Sequence, residues 1–313
     1  MTAPTGAQYT LTLDDQEAVV TELGATLRSY RVQGRNLVSS FEETHSPLGC
    51  QGQHMMPWPN RIRDGRWVHD GVQLQLPLSE PERNNAIHGL VCWVPWTTVA
   101  VDETSITQRY LLHPQPGWPG VVELQLTHAL GSEGLRVEVQ ATNVGEVGVP
   151  FGYGAHPYLV APGQALGECT LQVPFEQLLS VDARLLPVEL LDVEGSVADL
   201  RTARLLAGIG LDTAFTRAQR HDGRWQVVLS GAEHRTVLWG DEKLPWLQLY
   251  TPGGGRTIAV EPMSCGPDAF NPGPTHADLV QLAPGEQFRC SWGLQDQTVD
   301  AGQTMHASEP THD

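Results

Sequence analysis

The sequence predicts an all-β protein, a large antiparallel β-sandwich, and three observations carry that expectation. Apolar and polar residues alternate with a period of two in one short run after another, the mark of half-buried strands. The 32 glycines and 23 prolines among 313 residues exceed the average combined share of about 12% and are spread along the chain rather than pooled in a linker. No segment carries a capped apolar stripe at helical spacing, and no repeat of about 20 to 50 residues is visible. All-β sandwiches commonly form one unit of more than about two hundred residues. We therefore expect one catalytic domain over residues 1–299 and a disordered tail over 300–313, DAGQTMHASEPTHD, which is polar and aperiodic.

The elements follow in order. Tyr9 to Leu13, Glu17 to Leu23 and Leu27 to Val32 are short strand-like runs punctuated by Gly24 and Gly34, and they predict a β-meander. From Gly49 to Arg66 the pattern breaks into GCQGQHMMPWPNRIRDGR, too rich in proline, tryptophan and arginine for a plain connector, so it is expected to be a functional loop. Strand pattern resumes from Trp67 to Leu76. The turn-rich LSEPERNNAIHGL then delivers His88 ahead of a tryptophan-bearing strand, VCWVPWTTV. RYLLH, VVELQLTHAL and LRVEVQAT follow; in the last, Leu135, Val137, Val139 and Ala141 share one face and Arg136, Glu138 and Gln140 the other. The periodicity between Thr170 and Leu205 fits strand or short helix equally. Alternation returns in RWQVVLSG, RTVLWG, PWLQLYTP and TIAVEP, with Gly253, Gly254 and Gly255 as a hairpin turn, and ends near FRCSWGL.

Composition excludes several classes. The formal net charge is −17 and Lys243 is the single lysine, so the surface repels polyanions and neither nucleic acid nor an anionic membrane is expected as a partner. Five widely spaced cysteines without a C-x-x-C pair predict buried free thiols in a reducing compartment. The N-terminus has neither a basic nor an apolar leader region, and no window approaches the length of a membrane span, which makes a cytoplasmic location the expectation.

The chemistry-bearing residues sit in loops or at strand ends: Asn60, Arg61, His88, His156, Asp212, Gln248 and Glu261. His156 lies among glycines and aromatics in FGYGAHPYL, and Glu261 lies in IAVEPMSCGPDAFN. Zinc-type histidine spacings, phosphate-binding glycine patterns and a G-x-S-x-G elbow are all missing, so no metal or cofactor is expected. A histidine and a glutamate as acid and base, with further donors and acceptors for a polyhydroxylated ligand, amount to sugar chemistry; each residue taken alone is equally compatible with a structural role.

PWPNRIRDGRW, NNAIHGLVCW, FGYGAHPYL, LDTAF, WLQLYTP and AVEPMSCGPDAFN, in this order, resemble the aldose 1-epimerase (galactose mutarotase) family over roughly Leu11 to Leu294. The resemblance implies a β-supersandwich and the interconversion of α and β anomers of a free aldose such as glucose or galactose without a cofactor. It further implies that His156 is the general acid, Glu261 the general base, and Arg61, His88 and Asp212 sugar-binding residues, joined by Asn60 and Gln248 from the reading above. His156 is then expected to be charged, or to share its proton with a carboxylate, and Glu261 to be ionised. Trp58, Trp93 or Trp246 is a candidate for a flat apolar wall, and each is equally a candidate for the core. Three alternatives stay open: a hexose 6-phosphate mutarotase using Arg61, Arg63 and Arg66, a non-catalytic sugar-binding protein, and a lyase or hydrolase with Asp212 as second carboxylate.

Overall fold

The structure is a computed structural model describing residues 3–299; the expected disordered tail from Asp300 lies outside the described residues. The strands Gln8–Leu13, Gln16–Thr21, Leu27–Val32 and Arg35–Asn36 form the expected antiparallel meander. Behind it stands a nine-stranded antiparallel sheet centred on Val122–Gly131, Gly134–Asn143, Gln287–Thr298 and His234–Asp241. A second, eight-stranded sheet runs through Phe175–Val181, Asp212–Ala218, Trp246–Tyr250 and Thr257–Met263 to the short strands Gly154–Ala155 and His54–Met55. This is the all-β, antiparallel architecture that the alternating pattern predicted. The described helical segments are three single turns of 3-10 helix, and no described helix is long and apolar enough to cross a membrane.

The period of two explains both the core and the cleft. In the eight-stranded sheet Phe215 stands opposite Leu247, and Leu249 opposite Val260, and all four enter the core shared with the nine-stranded sheet, whose Leu124, Leu126, Val137 and Val139 are buried. Each such side chain removed from water contributes about 1.5–3 kcal/mol. The alternate residues must then face the other way. Gln248 stands opposite Glu261 and Ala214, and Asp212 opposite Tyr250, so one sheet carries an apolar core on one side and a row of polar side chains on the other.

Two segments differ from expectation, and one left open is settled. Trp67 to Leu76 is a hairpin, Arg66–His69 with Val72–Gln75, turned at Asp70 and Gly71. VCWVPWTTV becomes a strand only at Thr97–Val101, because the preceding backbone is bound to the meander instead: Gly24 N donates to Val94 O and Trp96 N to Glu22 O, each at 2.9 Å. The ambiguous stretch resolves into the strands Thr170–Gln172, Phe175–Val181, Pro187–Asp192 and Arg204–Leu205; Phe175–Val181 and Pro187–Asp192 form a hairpin, while Thr170–Gln172 and Phe175–Val181 also pair with the more distant Arg224–Ser230 and Asp212–Ala218. The glycine run at 253–255 does connect two antiparallel strands. All five cysteines are free and four are buried.

Candidate active site

Asn60, Arg61, His88, His156, Asp212, Gln248 and Glu261 all line one cleft of about 520 Å³ on the polar side of the eight-stranded sheet. Sheet register accounts for three of them. Gln248 and Glu261 are cross-strand neighbours, and Gln248 Nε2 donates to Asp212 Oδ1 at 2.8 Å, so the floor of the cleft is a short polar row.

Loops bring in Asn60, His88 and His156, and the short strand Arg61–Arg63, paired with Asn85–Ile87, brings in Arg61. His156 follows Gly154–Ala155, where its backbone N donates to Gln53 O and its carbonyl accepts from Gly52 N, both at 3.0 Å. Gly154 is required here, since a Cβ would lie 2.7 Å from the Met55 side chain and 2.8 Å from Pro59. Asn60 and His88 both adopt positive φ, 53° and 62°, and His88 N donates to Asn60 O at 2.9 Å, which locks the two loops face to face. Gly89, also at positive φ, packs so closely on Met56 that a Cβ would meet its carbonyl oxygen at 2.0 Å.

His156 Nε2 lies 3.3 Å from Glu261 Oε1, and these side chains are only 7% and 2% exposed. The His156 ring stacks on Tyr158 at 4.9 Å and meets His88 edge-on at 5.5 Å. Burial sets the electrostatics. It lowers the His156 pKa to about 4. It raises Glu261 well above the usual carboxylate range, helped by the Asp212 charge and opposed by Arg61. His88 is lowered by burial, then by His156 and Arg61, although part of its ring reaches the cleft. These directions reverse the expected charges: without sugar, the neutral imidazole and the protonated carboxyl are favoured. The proton count is the same either way, one for the pair, and moving that proton between Nε2 and Oε1 exchanges the acid and the base.

Arg61 Nε and Nη2 donate to the two oxygens of Glu80, both at 2.9 Å. Neither Arg63 nor Arg66 lines the cleft; Arg63 Nε donates to Asp268 and Arg66 Nε to Gln75. The tryptophan wall is not found. Trp58 packs edge-on against Phe270 in the core, Trp246 is fully buried with Nε1 donating to Asp278 Oδ2 at 2.7 Å, and Trp93 lies outside the cleft, 57% exposed. Tryptophan is large enough that burying it outweighs presenting it, and Tyr158 and Tyr250 supply the aromatic surface instead. Sequence reasoning passed over these tyrosines and also Cys50 and Glu80. Tyr158, two residues from His156, was the one with a readable signal. Among the described residues no three His, Cys, Asp or Glu side chains are grouped as a metal site requires.

Three buried polar atoms of this cleft have no hydrogen-bonding partner among the described residues: His88 Nδ1, His156 Nδ1 and Glu261 Oε2. An unpaired buried polar atom costs about 1–3 kcal/mol, so three in one cleft mark a place built to be completed by a polar ligand.

Comparison with known proteins gives the family and the fold. The aldose 1-epimerase family model matches residues 7–294. YihR, an uncharacterised protein of Escherichia coli strain K12, is 31% identical over 93% of this chain and 94% of its own. Among solved structures, a galactose mutarotase-like protein of Clostridium acetobutylicum superposes with a TM-score of 0.82 at 17% identity, covering 93% of this chain and 95% of that one. The galactose 1-epimerase of Lactobacillus acidophilus NCFM superposes with a TM-score of 0.77 at 23% identity, covering 93% and 94%. With a family match over nearly its whole length and a β-sandwich fold to accompany it, the chain belongs to the aldose 1-epimerase family, isomerases that act on carbohydrates.

Proposed function

We propose that the protein interconverts the α and β anomers of a free, uncharged aldohexose such as glucose or galactose, with His156 and Glu261 as the acid and base pair. The observation that carries this reading is the buried 3.3 Å contact between His156 Nε2 and Glu261 Oε1, with Glu261 Oε2 left without a partner among the described residues. Sugar hydroxyls donating to Glu261 favour its charged form and draw the pair's proton onto His156. Glu261 then removes the proton of the anomeric hydroxyl while His156 protonates the ring oxygen. The bond from C1 to the ring oxygen opens, the aldehyde turns about C1–C2, and the roles reverse as the ring closes on the other face. Each positioned proton transfer contributes about 10² to 10⁴ in rate, enough for a reaction that already proceeds measurably in water. Asn60, Arg61, His88, Asp212 and Gln248 hold the hydroxyls and fix the orientation.

Charge in the cleft favours a neutral sugar. Of its two arginines, Arg61 is taken up by Glu80, and Arg83 donates to Glu80 at 2.9 Å and lies 3.7 Å from Glu82; Asp212 adds a further negative charge. A phosphate group would find no uncommitted cation among these lining residues.

Polarimetry or anomeric proton NMR on fresh α-D-glucose, α-D-galactose and α-D-glucose 6-phosphate tests the proposal. Faster equilibration of a neutral sugar than of the phosphate is expected. Tight binding of sugars without any mutarotation would replace this reading by a non-catalytic one.

A further inference from the structure

We infer that Glu80 is a positioning residue, which sets the guanidinium of Arg61 in the orientation that receives the sugar; the inference rests on the proposed function above. Glu80 is 6% exposed and every one of its side-chain contacts is charge-assisted. Oε2 accepts from Arg61 Nε at 2.9 Å and from Asn85 Nδ2 at 3.0 Å; Oε1 accepts from Arg61 Nη2 and Arg83 Nη1, both at 2.9 Å. Such fork-to-fork pairing fixes a plane as well as a distance.

The consequence falls on Arg61. Its backbone is held by the strand pairing with Ile87 and by Asp268 N donating to its carbonyl at 2.7 Å, but neither contact fixes the far end of a long side chain. Glu80 occupies the Nε–Nη2 edge. That leaves Nη1, 3.3 Å from Asn60 Oδ1, and the free hydrogen of Nη2 to face other partners. Glu80 also neutralises Arg61, so the guanidinium serves as a directional donor to hydroxyls rather than as a bare cation.

Glu80 is itself held. Its backbone N and O pair with Asn85 at 3.0 and 3.1 Å. The Asn85 side chain accepts from Arg184 Nη2 at 3.2 Å and donates to the Arg184 carbonyl at 3.3 Å, while the same Nη2 donates to Asp64 at 2.7 Å. A chain of contacts thus runs from the half-exposed Arg184–Asp64 pair to the sugar-facing guanidinium, and Glu80 is its junction.

The test is steady-state mutarotation of D-glucose and D-galactose by wild type, Glu80→Asp and Glu80→Gln, alone and combined with Arg61→Met. Glu80→Asp keeps the charge but withdraws it by one methylene, and Glu80→Gln keeps the length but removes the charge. Because Arg61 holds the sugar alike in the ground and transition states, each Glu80 variant is expected to raise KM by about tenfold with kcat within about threefold of wild type. In the Arg61→Met background Glu80→Gln should change KM by less than about twofold, since its route of action is gone. An unchanged KM in folded Glu80→Asp, judged by thermal unfolding and near-UV circular dichroism, overturns the inference. So do Glu80 and Arg61 effects that multiply independently. If wild type turns over neither sugar, the proposed function fails, and calorimetric binding of the two sugars decides on Glu80 by itself: a Kd raised by Glu80→Asp supports it, and an unchanged Kd, or no binding to wild type, overturns it.

Discussion

Replacing Glu261 with glutamine should make the protein slower and, above neutral pH, more stable. The side chain keeps its shape and its place opposite Gln248, so packing changes little. What is lost is one partner of the buried pair with His156, worth about 10² to 10⁴ in kcat, or about 3–5 kcal/mol of barrier at 1.36 kcal/mol per decade. The stability gain comes from burial, which raises the Glu261 pKa well above its ordinary value of 4.5. Between 4.5 and the folded value the native state binds more protons than the unfolded chain, so the contribution of this residue is fully present below 4.5 and is lost as pH rises. The loss is at most about 1.4 kcal/mol for each pH unit over which the unfolded carboxyl is ionised and the buried one is not. Glutamine abolishes it. Urea unfolding at pH 5 and pH 8, alongside polarimetry on α-D-galactose, measures both effects. A variant with wild-type kcat would refute the catalytic role of Glu261, and one destabilised equally at both pH values would refute the electrostatic argument.

Further outcomes follow from the same geometry. His156→Gln should lower kcat by about 10² to 10⁴. Because burial lowers the His156 pKa to about 4, the unfolded chain takes up its proton first, and stability is lost as pH falls from 6.5 towards 4; the variant should lose less, by up to about 3 kcal/mol at pH 4. The buried relay in which Trp292 Nε1 donates to Tyr153 OH, with Tyr153 OH 2.9 Å from His54 Nδ1 and His54 Nε2 3.2 Å from His128 Nε2, joins the two sheets. His54→Leu should cost about 2–4 kcal/mol by orphaning its partners, and adding His128→Leu should cost less than the single changes predict, which a double-mutant cycle of urea midpoints will read. Arg184→Ala, far out on the rim and half-exposed, should cost no more than about 1 kcal/mol of stability, measured by thermal unfolding.

Much of this was legible in the residues. The period of two in LRVEVQAT became Gly134–Asn143, with Leu135, Val137, Val139 and Ala141 buried as expected. The same period in WLQLY and TIAVEP places Leu247, Leu249 and Val260 in the core and thereby turns Gln248 and Glu261 to the other face. Loop composition marked PWPNRIR and NNAIHG as special because glycine, proline and asparagine there report backbone strain, and Asn60 and His88 do sit at positive φ. VCWVPW misled, since an apolar run does not reveal whether its backbone bonds go to a ladder or, as here, to a meander some seventy residues earlier. The tryptophans stayed open for a related reason: large apolar area suits a sugar wall and a core equally, and packing decides.

The sequence by itself therefore determined the all-β class, the sheet faces and the candidate residues, because strand alternation and loop chemistry are local properties. Only the tertiary structure decided that residues spread from Asn60 to Glu261 share one cleft, that His156 and Glu261 lie 3.3 Å apart with burial favouring the neutral form of each, and that Glu80 rather than a ligand occupies one edge of Arg61. Those are matters of distance and dielectric between segments far apart in the chain, and neither quantity is written in any local run of residues.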